Sequence, residues 1–252
     1  MSPICACGHN AVEGPTLSMP PVTSGCGTCH TVALASNVVG VSDAPFDLNE
    51  TDRLLSTTRS VRKRLDLTRP VEPEVILDCI RLAQQAPTGS NMQGWRWMVV
   101  TDAAKRQAIT DAYNEVGKVY LSMAAGNTED PQTKRVYESA LLLTEILPQV
   151  PVHVIPCIEG PINLSSNGAA ASAYGSIMPA AWSFLLALRS RGLGSVWTTL
   201  HLFKEADVAA LLGIPENFTQ VALFPVAYTV GTEFKPAKRP PAKDITYFDT
   251  WG

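Results

Sequence analysis

From about residue 47 onward, helical and strand-like segments alternate irregularly, and this order limits the possible folds more than any other feature of the chain. In the helical segments apolar residues recur at three- and four-residue spacing, and short apolar runs bounded by turn residues lie between them. The alternation has no repeating unit. We therefore predict one α+β domain over residues 47–252, with helices packed on a central sheet.

The pattern predicts six helices and four strands. The helices cover residues 49–58, 73–86, 103–124, 134–149, 169–191 and 204–214, and the strands cover residues 95–100, 152–160, 194–200 and 219–231. Asn49 and Thr51 are candidate N-caps of the first helix, and Gly192 has the position of a residue that ends a helix. The 169–191 helix is apolar on nearly all sides and is cut short by arginines, so we expect a buried core helix.

Composition favours a small-molecule partner. The chain has 252 residues, of which 46% are hydrophobic and 17% charged, so it can form a substantial core. A net charge of −3, with both signs spread along the chain, predicts neither a nucleic acid site nor a membrane surface site. The start of the chain lacks the pattern of a secretory signal, and we expect the protein in the cytoplasm.

Residues 1–46 are rich in Cys, Gly and Pro and show neither period, which predicts a poorly ordered extension before the folded domain. This extension holds two clusters, Cys5, Cys7 and His9, then Cys26, Cys29 and His30. A zinc site and covalent haem are the alternatives to a loose tail. The Cys-x-Cys spacing and the missing signal count against both, and we assign no metal site.

Two polar segments have the chemistry of a site for a phosphorylated planar cofactor. Arg59 and Arg62, with the Ser60 hydroxyl between them, offer charge-assisted donors to a phosphate, although such a run is also typical of a solvated face. The loop 87–93 ends a helix and carries Asn91 and Gln93, whose amides suit the mixed edge of a heteroaromatic ring. An ordinary polar turn is the alternative for this loop.

The glycines of "RGLGSVWTTL" follow a helix and precede a strand. A Rossmann glycine loop has the opposite order, because its pyrophosphate must meet the N-terminus of the following helix. The sequence therefore argues against a classical NAD-binding fold.

Taken in order, "TRSVR", "APTGSNMQGW", the apolar helix before "GLGSVW" and the basic tail "AKRPP" resemble the FMN-dependent nitroreductase family over residues 50–252. The resemblance implies a nitroreductase-like α+β fold, with a central mixed but mainly antiparallel sheet flanked by helices. It implies a homodimer with FMN bound at each end of the interface. It also implies chain ends that wrap over the partner subunit. The order of the motifs carries the resemblance, because each motif alone is weak.

The resemblance also implies which residues bind FMN. Those at the phosphate and the pyrimidine side of the ring would be Arg59, Ser60, Arg62, Lys238 and Arg239. Those at the ring edge would be Pro87, Thr88, Gly89, Asn91 and Gln93, and the backbone at Thr199 and Leu200 would lie near flavin N5 or O4. Arg62 would stabilise the negative charge of reduced flavin. Gly94 and residues 199–201 depart from the family pattern.

The chemistry implied by the resemblance is carried by the flavin, with no catalytic side chain. NAD(P)H would give hydride to N5 and leave, and a nitroaromatic or quinone acceptor would then bind, in a ping-pong cycle. We expect His153 to be a core residue, while His201 is a possible pocket residue. Dehalogenation or flavin destruction on the same fold, and flavin binding without turnover, are the alternatives.

Overall fold

The computed structural model describes residues 45–251, which belong to one compact unit. The predicted N-terminal extension and both cysteine clusters fall outside the described residues, apart from residues 45 and 46. The first helix, α1, begins at Leu48, and the Asp47 carboxylate accepts hydrogen bonds from the amides of Asn49 and Glu50. Asp47 is therefore the N-cap, and the prediction of Asn49 or Thr51 was wrong by a few residues.

The central sheet has five strands, whose bounds are β1 Trp95–Val100, β2 Val152–Glu159, β3 Leu193–Gly194, β4 Phe218–Gln220 and β5 Phe224–Tyr228. Their order is β1-β2-β5-β3, and β4 pairs with β2. Each strand pair in the described residues is antiparallel. Seven of the eight residues of β2 are buried, as expected for a central strand that is covered on both faces.

Within residues 45–251, seven α-helices flank this sheet, and their bounds are α1 Leu48–Thr57, α2 Pro73–Ala83, α3 Ala103–Gly126, α4 Pro131–Ile146, α5 Asn167–Gly175, α6 Met178–Ser190 and α7 Glu205–Leu212. Val152 and Val154 of β2 belong to a buried cluster with α2 and α6. Ile155 and Cys157 belong to a second cluster with α3, α4 and α7. Because successive strand residues point to opposite faces, helices cover both sides of the sheet, and the predicted α+β fold is confirmed.

The predicted helix 169–191 is divided into α5 and α6 at Ser176 and Ile177. Pro179 explains the break, since it lacks an amide proton and its ring would clash with the carbonyl of Gly175 in a continuous helix. Residues 167–190 have the length and mean hydropathy, 1.3, of a membrane span. Six residues of α6 are nevertheless buried in the protein, so we interpret α6 as the predicted core helix.

The two predicted C-terminal strands are also shorter in the structure. Residues 194–200 pair with β5 only through β3, and with Leu223 through an isolated bridge at Thr198. Residues 219–231 are divided into β4 and β5, because residues 221–223 lie opposite only two residues of β2, 155 and 156. Pro156 has no amide proton to donate to the ladder, and the chain forms a bulge at this point.

Candidate functional site

The basic motif 58–66 runs beside the sheet without regular secondary structure of its own. Its backbone is held by three hydrogen bonds, from the Val61 amide to the Ser195 carbonyl, from Asp66 to Tyr228 and from Val230 to Arg64, each 2.8 Å long. Val61 and Leu65 are buried, whereas Arg59 and Ser60 are exposed. Anchoring the apolar positions in the core thus leaves the polar ones on the surface.

The exposed side chains of this motif line a cleft of about 800 Å³, which we call the cationic cleft. Its cationic residues come from three parts of the chain and are Arg59, Arg62, Lys63, Arg135 and Arg239. Among the described residues that line the cleft there is no aspartate or glutamate, while Ser60 adds a hydroxyl. Five cations without a carboxylate make a strong site for an anion.

Arg62 lies deepest of the predicted phosphate ligands. It is half-buried, and its Nε atom has no hydrogen-bond partner among the described residues. Burial lowers the pKa of Arg62, an effect that the neighbouring Tyr113 opposes, but a guanidinium remains charged in a protein. The Tyr113 hydroxyl is itself 3.2 Å from the Thr198 hydroxyl. Because Arg62 is half-buried and its Nε donor is unused, an anion or a carbonyl group bound in the cleft would be a suitable partner for it.

The loop 87–94 has a constrained backbone. Ser90, Asn91 and Gln93 all have positive φ, at 52°, 54° and 51°. Local hydrogen bonds stabilise this conformation, from the Gln93 amide to the Thr88 hydroxyl at 3.2 Å and from Gln93 Nε2 to Asn91 Oδ1 at 2.8 Å. Such conformations cost energy and concentrate at binding sites, which favours a ligand over an ordinary turn.

This loop lines a second cleft, of about 300 Å³, with Thr88 and Gly89 on one side and residues 158–163 and 169–176 on the other. The Gly89 amide donates to the Ser176 hydroxyl at 2.9 Å, which joins the loop to α5. Within the described residues the two clefts share no lining residue. A single chain therefore groups Arg59, Ser60, Arg62 and Arg239, and places Thr88 and Gly89 elsewhere.

The other predicted ligands lie outside both clefts. Pro87, Asn91 and Gln93 are exposed on the same loop, and Lys238 is exposed beside Arg239. Thr199 and Leu200 lie at the start of a 3-10 helix, Leu200–Lys204, where a strand was predicted. Leu200 packs against the core formed by α3, α4 and α7.

Sequence reasoning missed several residues of the cationic cleft. Arg135 extends from α4, where no motif marks it, and its guanidinium bonds to Gln132 at 2.8 Å. Trp182 of α6 is 44% exposed and lines the cleft, whereas Trp95 is buried and Trp97 and Trp197 pack against the core. Trp182 is thus the tryptophan of these four that lines the cationic cleft.

The two described histidines are buried. His153 Nε2 lies 2.9 Å from the Leu147 carbonyl, as expected for a core residue. Neither ring nitrogen of His201 has a hydrogen-bond partner in the part of the chain that the structure describes, and His201 lines neither cleft. Burial lowers the pKa of both to about 4, so both are neutral near pH 7 and are placed away from any proton transfer.

Comparisons with known proteins agree with this arrangement. A model of the Nitroreductase family matches residues 55–228, more than half of the chain. The chain is 26% identical over 172 residues to 5,6-dimethylbenzimidazole synthase of Rhodospirillum rubrum, covering 68% of this chain and 78% of that protein. It is 28% identical over 196 residues to iodotyrosine deiodinase of Danio rerio, covering 76% and 64% of the two chains. It is 27% identical over 201 residues to an NADH dehydrogenase of Thermus thermophilus, covering 74% and 90%.

Solved structures show the same fold. An oxidized iodotyrosine deiodinase bound to FMN and 3-iodo-L-tyrosine superposes with a TM-score of 0.61 at 22% identity, covering 79% of this chain and 98% of that one. An FMN and NADPH-dependent nitroreductase from Sphigopyxis sp. strain HMH gives a TM-score of 0.57 at 20% identity, covering 79% and 99%. The family model, the fold and the order of the motifs agree, and the chain therefore belongs to the Nitroreductase family.

Proposed function

We propose that this chain is an FMN-dependent oxidoreductase that takes hydride from NAD(P)H and reduces nitroaromatic or quinone-type acceptors by a ping-pong mechanism. The observation that carries the proposal is the cationic cleft, which gathers five cations and no described carboxylate on the motif that the family resemblance assigns to FMN phosphate. Membership of a family that includes FMN-bound structures supports the choice of cofactor. We also retain the cytoplasm as the proposed location.

The residues of the cleft fit the cofactor. Arg59, Ser60 and Arg239 offer exposed donors that suit a phosphate dianion. Arg62, deeper and with an unpartnered Nε, suits the pyrimidine side of the ring, where a fixed cation stabilises negative charge. When bound, FMN supplies a ring that takes up two electrons from NAD(P)H and passes them to the acceptor. The protein is left to bind, orient and shield the ring.

We propose that the loop 87–93 reaches FMN in a homodimer, because within one chain it lies in a different cleft from Arg59 and Arg239. The single chain exposes large apolar side chains that an interface would bury, among them Val119 (63%), Met123 (62%), Phe248 (83%) and Trp251 (89%). Light scattering after gel filtration should therefore give twice the chain mass. A monomer that holds one FMN per chain would contradict this arrangement.

No described histidine is available as an acid or base, since His153 and His201 are buried and neutral. This leaves reactions that the flavin itself performs. Residues 160–163 line the second cleft beside Thr88 and Gly89. We propose that the loop 160–168 contacts the acceptor, together with the region 113–127.

Reductive dehalogenation is the second candidate, because iodotyrosine deiodinases are among the relatives and among the structures with the same fold. Flavin breakdown, suggested by the resemblance to 5,6-dimethylbenzimidazole synthase, and flavin binding without turnover are further alternatives.

One set of assays separates reduction of a nitroaromatic or quinone from dehalogenation and from flavin binding without turnover. The FMN-loaded protein is mixed with NADH or NADPH under anaerobic conditions, and flavin absorbance is recorded. Rapid bleaching, followed by reoxidation on adding a nitroaromatic or a quinone, supports the proposal. Reoxidation by 3-iodo-L-tyrosine with iodide release, and by neither of the first two, replaces it with dehalogenation. A flavin that stays oxidised under excess NADH and NADPH refutes turnover with these donors.

A further inference from the structure

Residues 230–235, which follow β5, are held by arginine side chains in place of regular secondary structure. Arg64 donates from Nε to the Val230 carbonyl at 2.8 Å and from Nη1 to the Glu233 carbonyl at 2.7 Å. Arg189 of α6 donates from Nη2 to the Thr232 carbonyl at 2.8 Å. These carbonyls have no strand partner, so the arginines satisfy acceptors that would otherwise rely on water.

The same two arginines meet on one aromatic ring. The Cζ atom of Arg64 lies 4.2 Å from the centroid of the Phe234 ring, and that of Arg189 lies 4.7 Å from it. Phe234 also packs against the buried cluster of Val61, Leu65, Val150 and Ala227. Both distances are within the range of a cation–π interaction, so this ring and the two guanidiniums form a unit that we call the clamp.

The backbone of residue 231 is adapted to the clamp. Gly231 has φ of +71°, and a Cβ atom there would lie 2.7 Å from Nη2 of Arg64. The left-handed conformation favours glycine, and a Cβ atom at this position would displace the end of the Arg64 side chain. The backbone conformation at Gly231 therefore accommodates the Arg64 side chain, which packs closely against this segment.

The clamp lies directly before the residues that reach the cationic cleft. Pro236, Ala237 and Arg239 line that cleft, whereas Arg64, Arg189 and Phe234 do not. Arg239 lies five positions after Phe234, a reach of at most roughly 18 Å for an extended chain. If Phe234 were released, Arg239 would no longer be confined to the cleft.

We propose that Arg64, Arg189 and Phe234 are positioning residues for the cofactor phosphate: they fix the C-terminal segment so that Arg239 completes the cationic cleft. This inference rests on the proposed binding of FMN and adds to it residues that act through Arg239. The same C-terminal segment also contacts Arg59, whose Nη1 donates to the Lys235 carbonyl at 2.9 Å, and Arg64 and Phe234 line a space that neighbours Arg59 and Arg62. Riboflavin, which has the same ring without the phosphate, is the probe that separates this role from a general structural one.

The test compares Phe234→Leu, which keeps an apolar side chain but removes the ring, with Phe234→Tyr, which keeps the ring. Binding of FMN and of riboflavin to the flavin-free protein is measured by quenching of flavin fluorescence. For Phe234→Leu we expect the Kd of FMN to rise about tenfold, as for the loss of one charge-assisted contact, and the Kd of riboflavin to change less than about twofold. Phe234→Tyr should match the wild type.

A double variant tests the route through Arg239. If the clamp acts through that residue, Phe234→Leu with Arg239→Ala should bind FMN no more weakly than Arg239→Ala alone. Equal weakening of FMN and riboflavin, or additive losses, would overturn the inference. Should Phe234→Leu fail to fold, Arg189→Gln serves the same comparison. A wild type that binds FMN no more tightly than riboflavin would instead refute the phosphate site itself.

Discussion

His153 and His201 lead to a prediction about acid stability. Both side chains are 0% exposed, and burial lowers the pKa of each from 6.5 to about 4. The charge of Arg106 adds to the effect at His153, and His153 itself adds to it at His201. Because the folded pKa is depressed, the stability that depends on the neutral rings is complete above pH 6.5 and is lost as the pH falls toward 4.

The magnitude follows from the two pKa values. At pH 5 nearly all of an unfolded chain carries a proton on a histidine of pKa 6.5, whereas only about a tenth of the folded chain does when the pKa is about 4. The difference lowers the free energy of unfolding by about 2 kcal/mol for each histidine, or about 4 kcal/mol for both, relative to pH 7. Such a loss is a large part of the 5–15 kcal/mol typical of a domain.

His201→Leu isolates this effect. Neither ring nitrogen of His201 has a hydrogen-bond partner among the described residues, so leucine removes the titrating group without leaving a new unpaired atom. Urea unfolding, followed by tryptophan fluorescence, is measured at pH 7 and pH 5 for both proteins. We expect the wild type to lose about 4 kcal/mol and the variant about 2 kcal/mol. Carboxylates that titrate in acid contribute equally to both and cancel, so equal losses would refute the burial argument for His201.

Three other predictions concern the cleft and its support. Arg59→Ala with Arg62→Ala should remove most bound FMN, since each charge-assisted contact is worth about 1.5–3 kcal/mol, and a protein that purifies equally yellow would contradict the assignment. FMN binding should weaken as salt rises from about 0.05 M to about 0.5 M while riboflavin binding stays nearly constant, as titration of the two flavins checks. Gly194→Ala places a Cβ 2.6 Å from Thr229 Cγ2 and should cost about 1–3 kcal/mol in thermal unfolding, whereas the control Gly175→Ala, with nothing within 4 Å, should cost little.

Local signals in the sequence account for most of the fold. In α2, apolar residues recur with the 3.6-residue period of a helix, and this pattern predicts which side of the helix is buried. The residues that recur in this way, Ile76, Cys79, Ile80 and Ala83, are buried in the structure. The continuous apolar run of β2 likewise marks a strand covered on both faces. Two of the errors occur where a proline interrupts an apolar segment. Pro179 divides a helix and Pro156 interrupts a ladder, and apolar periodicity is insensitive to both.

The cleft was predictable only where one segment carries several of its ligands. Arg59, Ser60 and Arg62 are adjacent in sequence, so their shared chemistry is visible before folding. Arg135 belongs to α4, where its sequence context predicts an ordinary surface residue. Trp182 belongs to α6, where the apolar sequence predicts a core residue. Their position in the cleft results from the packing of α4 and α6 beside the basic motif. The clamp around Phe234 is similar, since it joins residues up to 170 positions apart.

The relatives of this chain have names that describe different reactions. A dimethylbenzimidazole synthase, a deiodinase and an NADH dehydrogenase resemble this chain at similar identity, 26–28%, over about the same share of its length. We propose that the basic motif and the loop 87–93 bind the flavin, and that the segments covering the ring select the acceptor. In this chain the candidates are residues 113–127 and 160–168, which are rich in exposed side chains such as Val119, Tyr120 and Leu164. Exchanging only the exposed side chains of these two segments for those of a deiodinase, with the buried Tyr113 kept, should change the acceptor and leave FMN affinity nearly unchanged. A loss of FMN affinity would show that these two segments also contribute to binding the cofactor.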